Sequence, residues 1–131
     1  MTIHSKGTDM LVRLMSAATT RRDVLANNIA SQNLPGYRRQ DVQFEKLLFE
    51  EMQRGGTAKE LEQITPEIVT DWETPGRADG NNVSAEQEAS LVTENRIRYE
   101  LYATILRSQQ SLVGAEKLNI KISEQNLETT D

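Results

Sequence analysis

From Val92 to Ile120 an apolar residue returns at every seventh position: Val92, Tyr99, Leu106, Val113, Ile120. This constrains the fold more than any other feature, because a seven-residue repeat is the spacing of α-helices that supercoil around a partner. Leu91, Ile105 and Leu112 ride beside that row, and Tyr102 takes a d-like position. Asn95, Gln109 and Glu116 also fall at d-like positions, so the seam is imperfect. Ser84-Ala85-Glu86-Gln87 reads as a capping box, serine at N-cap and glutamine at N3. Glu86 and Glu88 complement the positive end of the helix dipole. The spacing predicts a helix over 84–122, about 58 Å long at about 1.5 Å per residue.

A supercoiling helix needs a partner, and the N-terminal segment supplies one. Residues 1–8 are polar and are expected to fray. From an N-cap at Thr8 or Asp9, the row Leu11, Leu14, Ala18, Arg21, Leu25, Asn28 keeps a 3,4 spacing, flanked by Met10, Ala17 and Val24. A helix over 9–32 follows. Its end is unusual: Asn27 and Asn28 are poor helix formers, yet they sit inside the last turns. Leu34 precedes proline and is pushed toward extended geometry. Pro35 and Gly36 suit the two central positions of a type II turn, with positive φ at the glycine. A specified turn after Asn33, where a plain loop would serve, marks a place where backbone meets backbone or a partner chain.

Between the long helices the pattern is less regular. Asp41 reads as the N-cap of a short helix with Phe44, Leu47, Leu48 and Met52 on one face, stopped by Gly55-Gly56. Ala58 to Ile64 suits one or two helical turns, and Ile68, Val69 and Trp72 suit a short extended segment before Thr74-Pro75-Gly76. The expected fold is therefore mainly α and a single domain over 1–131. It is an elongated, coiled-coil-like hairpin of two long helices, with 33–83 as turn, arm and irregular centre containing a short β segment.

Aromatic residues make up 5% of the chain and apolar residues 37%, thin for a compact globule and ordinary for elongated helices with narrow apolar stripes. The stripes read as needing neighbours beyond one chain, or as folding on assembly. Residues 1–40 carry six Lys/Arg against two Asp/Glu, and residues 41–131 carry nine against eighteen, so the halves attract each other within or between chains. Without cysteine there is no disulfide or thiolate metal site. No apolar run is long enough to span a membrane, and no signal-peptide h-region opens the chain. By general secretion rules such a chain stays in the cytoplasm unless a dedicated exporter takes it.

No catalytic, cofactor or metal site is expected. The one histidine, His4, lies in the polar tail, and no H-E-x-x-H, P-loop, G-x-G-x-x-G or G-x-S-x-G is present. Glu45, Glu50, Glu51, Glu60 and Glu62 read as solvated surface, with nothing near them promising a pocket that would raise a catalytic pKa. Asp79-Gly80-Asn81-Asn82 invites a calcium reading, but counting from Asp79 puts Ser84 where an EF-hand needs glycine and Ser90 where it needs glutamate. A tight turn feeding the capped helix fits better. Arg21-Arg22 and Arg38-Arg39 lack the aromatic interleaving of a nucleic-acid surface, so they are expected to pair with acidic residues of neighbouring chains. Tyr99 and Tyr102, at helical spacing, read as core.

The stretch from Leu25 through Asn27, Asn28, Asn33, Pro35, Gly36 and Tyr37, continued by Arg38 to Phe44, resembles the N-terminal signature of the bacterial flagellar rod, hook and hook-associated axial proteins. Asp79-Gly80-Asn81-Asn82-Val83 before the C-terminal helix, with the short length, is similar to the proximal-rod subunits of that family. Leu34 departs from the pattern, standing where the family carries a residue able to hydrogen-bond the turn. The resemblance implies a structural protein of the basal body, exported through the flagellar type III apparatus, polymerising helically around the export channel in the periplasmic rod. It implies, as partners, itself and other rod subunits, with the rod adaptor, membrane-ring and export-gate proteins at the base. The residues expected at subunit interfaces are Leu11, Leu14, Leu25, Asn27, Asn28, Asn33, Pro35, Gly36, Tyr37, Arg38, Val92, Tyr99, Leu106 and Val113, with 33–44 reaching an adjacent subunit. Two rivals are a soluble helical-hairpin adaptor or export chaperone, and a small carboxylate-pair hydrolase for which no cleft pattern exists.

Overall fold

A computed structural model describes residues 3–128, with side chains from residue 7 onward. The chain is mainly helical. Its order is α1 (Ile3–Ala30), β1 (Gln40–Gln43), α2 (Glu45–Gln53), α3 (Ala58–Glu62), β2 (Glu67–Thr70) and α4 (Ala85–Glu128). Helices α1 and α4 pack antiparallel: Thr8 meets Gln109, Ala18 meets Asn95, and Asn28 meets Glu88. The small sheet lies in the middle of the chain, between the two long helices in sequence.

Both long helices differ from their expected bounds, each running longer overall. Helix α1 starts at Ile3 rather than at 9, and ends at Ala30 rather than at 32. The side chain of His4 lies outside the described residues. Helix α4 continues past 122 to Glu128, because Glu124, Gln125, Leu127 and Glu128 are good helix formers and Leu127 carries the seven-residue row one step beyond Ile120. Ser84 caps α4, its Oγ accepting from the Gln87 N–H at 3.4 Å.

The centre corrects three expectations. Asp41 is not an N-cap: it lies in β1, and Phe44 occupies the N-cap of α2 without a side-chain bond. The strand forms there because β2 offers it an antiparallel partner, with Asp41 opposite Val69 and Val42 opposite Ile68, and tertiary pairing overrides local capping signals. Met52 is exposed rather than packed beside Leu48, as are Gln53 and Arg54 that follow it. Trp72 lies beyond β2 and is exposed. The expected stop at Gly55-Gly56 is a Schellman ending: Gly55 has φ +76°, its N–H donates to Met52 O, and the Gly56 N–H donates to Glu51 O. Helix α3 is one capped turn, with Thr57 and Glu60 bonding reciprocally.

Apolar packing gathers on one flank of α1. Phe44, Leu48 and Ala17 form a buried cluster, joined by Met10, Leu14, Leu61 and Ile64. Arg13 closes it, its guanidinium 5.5 Å from the Phe44 ring centroid and its Nη2 donating to the carbonyls of Leu61 and Ile64. On the adjoining stripe Leu11, Ala18 and Leu25 are buried in the fold. Truncating Phe44 should therefore empty the one aromatic core site. Phe44→Ala is expected to cost about 3–5 kcal/mol, against less than about 0.5 kcal/mol for the exposed Phe49→Ala. Thermal unfolding followed by circular dichroism reads both, and equal losses would remove Phe44 from its anchoring role.

Candidate functional site

The end of α1 and the start of α4 meet in a joint built mostly from polar side chains. Asn28 is fully buried. Its Nδ2 donates to Gln40 O at 2.8 Å and to Glu88 Oε2 at 3.1 Å. Its Oδ1 accepts from the Gln40 N–H at 2.9 Å and from the Tyr37 hydroxyl at 3.0 Å. All four hydrogen-bonding positions of the amide are filled, which offsets the cost of burying it. Asn27 adds a bond from its Nδ2 to the Tyr37 hydroxyl, at 3.1 Å. A poor helix former is tolerated in the last turns because its side chain bonds the returning chain.

The Pro-Gly turn forms as its residues dictate. Tyr37 N–H donates to Leu34 O at 3.2 Å and Gly36 has φ +74°, the pattern of a type II turn. A second turn docks against it. Gly36 N–H donates to Asp79 O at 2.7 Å, and a Cβ on Gly80 (φ +86°) would come within 3.3 Å of Gly36 Cα. Asn81 ties the two together: its Nδ2 donates to Ser31 O and Leu34 O, and its Oδ1 accepts from the Val83 N–H. Asn82 does the same for the arm, accepting from Arg39 N–H at 2.7 Å and donating to Asp71 O and Thr74 O. Leu34 does not pack in place of a polar group. Its side chain is 55% exposed, and its carbonyl does the bonding that holds the turn.

Beneath the turns lies a charged cluster. Arg39 Nε donates to Glu88 Oε1 at 2.5 Å, and its Nη1 reaches Asp71 at 3.2 Å and Asp41 at 3.4 Å. Glu88 is 1% exposed, so it is far more than the solvated dipole partner expected at that position. Burial alone would lower the Arg39 guanidinium, but the Glu88 bond and charge, with those of Asp71 and Asp41, outweigh it and raise it. Asp71 is pushed down to about 2, first by the Thr74 hydroxyl and N–H. Farther along, Arg21 holds Glu45 at 2.6 Å, bonds Asn95 Oδ1 and reaches Val42 O. Burial would raise the Glu45 carboxyl, but the Arg21 bond wins and leaves it below its ordinary value. Arg21, Arg38 and Arg39 thus find their partners inside the chain. Arg38 donates to Thr74 O and lies 5.8 Å from the Trp72 ring centroid. Glu45 and Glu60 are likewise engaged rather than freely solvated.

The expected interface residues fall in five places. Asn27, Asn28, Tyr37 and Arg38 come together at the joint, and Leu11 and Leu25 are covered by the chain's own packing. Leu14 turns to the Phe44 cluster, while Val92, Leu106 and Val113 are half-buried along the α4 seam. Asn33, Pro35, Gly36 and Tyr99 are exposed. Glu88, Asn81, Asn82 and Asp71 join the site without being among the expected interface residues. The signal for Glu88 was present: it stands seven residues before Asn95, in the same row as Tyr102 and Gln109.

No family model matches the chain. Among curated proteins it is similar to the flagellar basal body rod protein FlgB of Salmonella typhimurium, 30% identical over 105 residues that cover 68% of this chain and 76% of that one. The chain belongs to the FlgB family of flagellar basal body rod proteins. The FlgB of Bacillus subtilis is 28% identical over 114 residues, covering 84% of its length. That of Borrelia hermsii is 25% identical over 126 residues, covering 90%. Among the described residues no group of acidic or histidine side chains is placed to hold a metal, and no helix is long and apolar enough to cross a membrane.

Two outcomes test the joint in this FlgB-family chain. Glu88→Ala leaves a buried guanidinium without its main partner and is expected to cost about 3–5 kcal/mol, read by denaturant unfolding; a loss under about 1 kcal/mol would mean the pair is dispensable. Asp71 has a depressed carboxyl pKa, so its contribution is full above about pH 4 and is lost as pH falls toward about 2. Asp71→Asn should remove about 1 kcal/mol of that acid-sensitive stability after solvent screening, flattening the stability profile between those two pH values.

Proposed function

We propose that this chain is a structural subunit of the flagellar proximal rod, without catalytic activity, which assembles helically with itself and other rod subunits around the export channel. The observation that carries the reading is a mismatch of helix lengths. Helix α1 has 28 residues and α4 has 44, about 42 Å against about 66 Å. Among the described residues nothing lies opposite α4 beyond about Val113, yet Ile120 is exposed there seven residues on in the heptad row, with Leu118 and Ile122 exposed one turn apart on another face. A stripe of that kind is stabilised by another helix. Association that reuses unlike surfaces, head to tail, makes an open helical array rather than a closed dimer.

Family membership supports the location in the basal-body rod, and with it export by the type III apparatus and placement in the periplasm. In this reading the rod adaptor, membrane-ring and export-gate proteins are neighbours at the base. The exposed turn at Asn33, Pro35 and Gly36 is then a second contact, and its docking on Asp79 and Asn81 presents it to the next subunit.

The test places charges on this exposed end of α4. Leu118→Glu with Ile122→Glu leaves every packed contact of the described fold in place, so purified protein should keep its circular dichroism spectrum. Cells carrying it should lose swimming and yield basal bodies without a rod. Normal swimming would overturn the assembly reading. A free protein that stays a folded monomer at all concentrations by light scattering would favour a soluble adaptor or chaperone instead.

A further inference from the structure

Alongside the α1–α4 seam runs a groove of about 290 Å³, lined by Ala18, Thr19, Arg22, Val92, Arg96 and Tyr99. It is mostly apolar, with a floor of small residues. Its size falls at the lower limit of pockets that take small molecules, about 300–1,000 Å³, and suits a single bulky side chain. Two arginines stand at its rim. Among the described residues Arg22 pairs only with Asp23, in an exposed ion pair at 3.5 Å, and Arg96 has no ion pair. The groove therefore asks for an apolar side chain followed by a carboxylate.

An exposed patch on α2 answers to that description. On α2, Phe49 is 58% exposed and Met52 lies one turn on, with Glu50 exposed between them and outside any ion pair among the described residues. The alternatives fit less well. Trp72 carries the Arg38 guanidinium over its ring, which would bring a third arginine to a two-arginine rim. On the end of α4, Lys117 and Lys121 flank Leu118 and Ile120. Lys46, one turn before Glu50, is the like charge on the α2 face.

We propose that this groove seats α2 of a second copy of the chain, with Phe49 in the groove and Glu50 against Arg22 and Arg96. The inference rests on the self-assembly reading above and gives it a contact. The geometry makes the contact propagate. On α1, Ala17 and Arg21 meet α2, while Thr19 and Arg22 line the groove, so helical spacing places the two on opposite flanks of the stripe facing α4. Each copy thus offers its α2 on one side and its groove on the other. Such a contact is heterologous and leaves both ends open.

The chain has no cysteine, so introduced thiols report directly. Full-length protein carrying Gln53→Cys, one turn from an intact Phe49, and a size tag is mixed with untagged protein carrying Thr19→Cys and oxidised. Both positions are exposed, and circular dichroism confirms that the fold is kept. The mixed disulfide dimer should exceed either homodimer at least tenfold. Glu50→Arg in the tagged chain should reduce it at least tenfold, and Arg22→Glu with Arg96→Glu in the other chain should restore it. Lys46→Glu should raise the yield. A mixed yield no greater than the homodimers, or one indifferent to Glu50→Arg, overturns the proposal. If light scattering still shows association and Leu118→Cys cross-links instead, the seat is wrong while self-assembly stands. If the parent protein does not associate at all, both readings fall.

Discussion

The buried contact between Glu88, Asn28 and Arg39 is the constraint on which the rest depends. It joins the last turns of α1, the arm that follows, and the first turns of α4 at one point. A charged group taken out of water gains little net stability from its partner but is costly if the partner is missing. Such a contact therefore acts less as glue than as a register pin. If α4 slid by one turn, Glu88 would leave Arg39, and Asn28 would lose the one of its four bonds that reaches α4. Two further polar rungs repeat the device down the seam, Arg21 with Asn95 and Thr8 with Gln109. A polar residue within an otherwise apolar helix seam is a known way to fix alignment at some expense of stability.

This explains which parts of the fold were legible in the sequence. The heptad row from Val92 declared α4, and the 3,4 row from Leu11 declared α1, because both are local periodicities. Pro35-Gly36 declared its turn because only glycine accepts that φ readily. Gly55-Gly56 declared the end of α2 for the same reason. The strand β1 was hidden, since Gln40–Gln43 forms a strand only by pairing with residues 67–70, and Asp41 there looks like a helix cap. The charged joint was hidden for a related reason. Glu88 beside a capping box resembles ordinary dipole compensation, and only the return of Arg39 from 49 positions away makes it a buried pair. Its place in the row with Asn95, Tyr102 and Gln109 was visible. What the seam holds at those positions is polar, so polarity there meant alignment rather than a defect.

The division of labour between the two flanks of α1 follows from the same pattern. On one flank the Phe44 cluster supplies the compact apolar packing of the chain. On the seam small residues, Ala18 above all, let α4 approach closely, and polar rungs set its height. Neither flank uses the far end of α4. The long helix is held rigidly at its base by Arg39 and Glu88 and extends beyond its partner with its apolar stripe uncovered.

That arrangement bears on how a rod subunit of the proposed kind would behave. Helical stability comes mainly from packing an apolar face, not from propensity. The covered two-thirds of α4 has its packing within the chain; under the proposed assembly the remaining third acquires it from neighbours. The register pins then matter most, because a neighbour reads the stripe at a position defined relative to the joint. A one-residue displacement of α4 would rotate the stripe by about 100°, turning Leu118 and Ile122 away from whatever they meet. A thin core with a polar lock is thus a coherent solution for a subunit whose remaining order is supplied by assembly: the lock specifies geometry, and the shared interface supplies the stability that the single chain lacks.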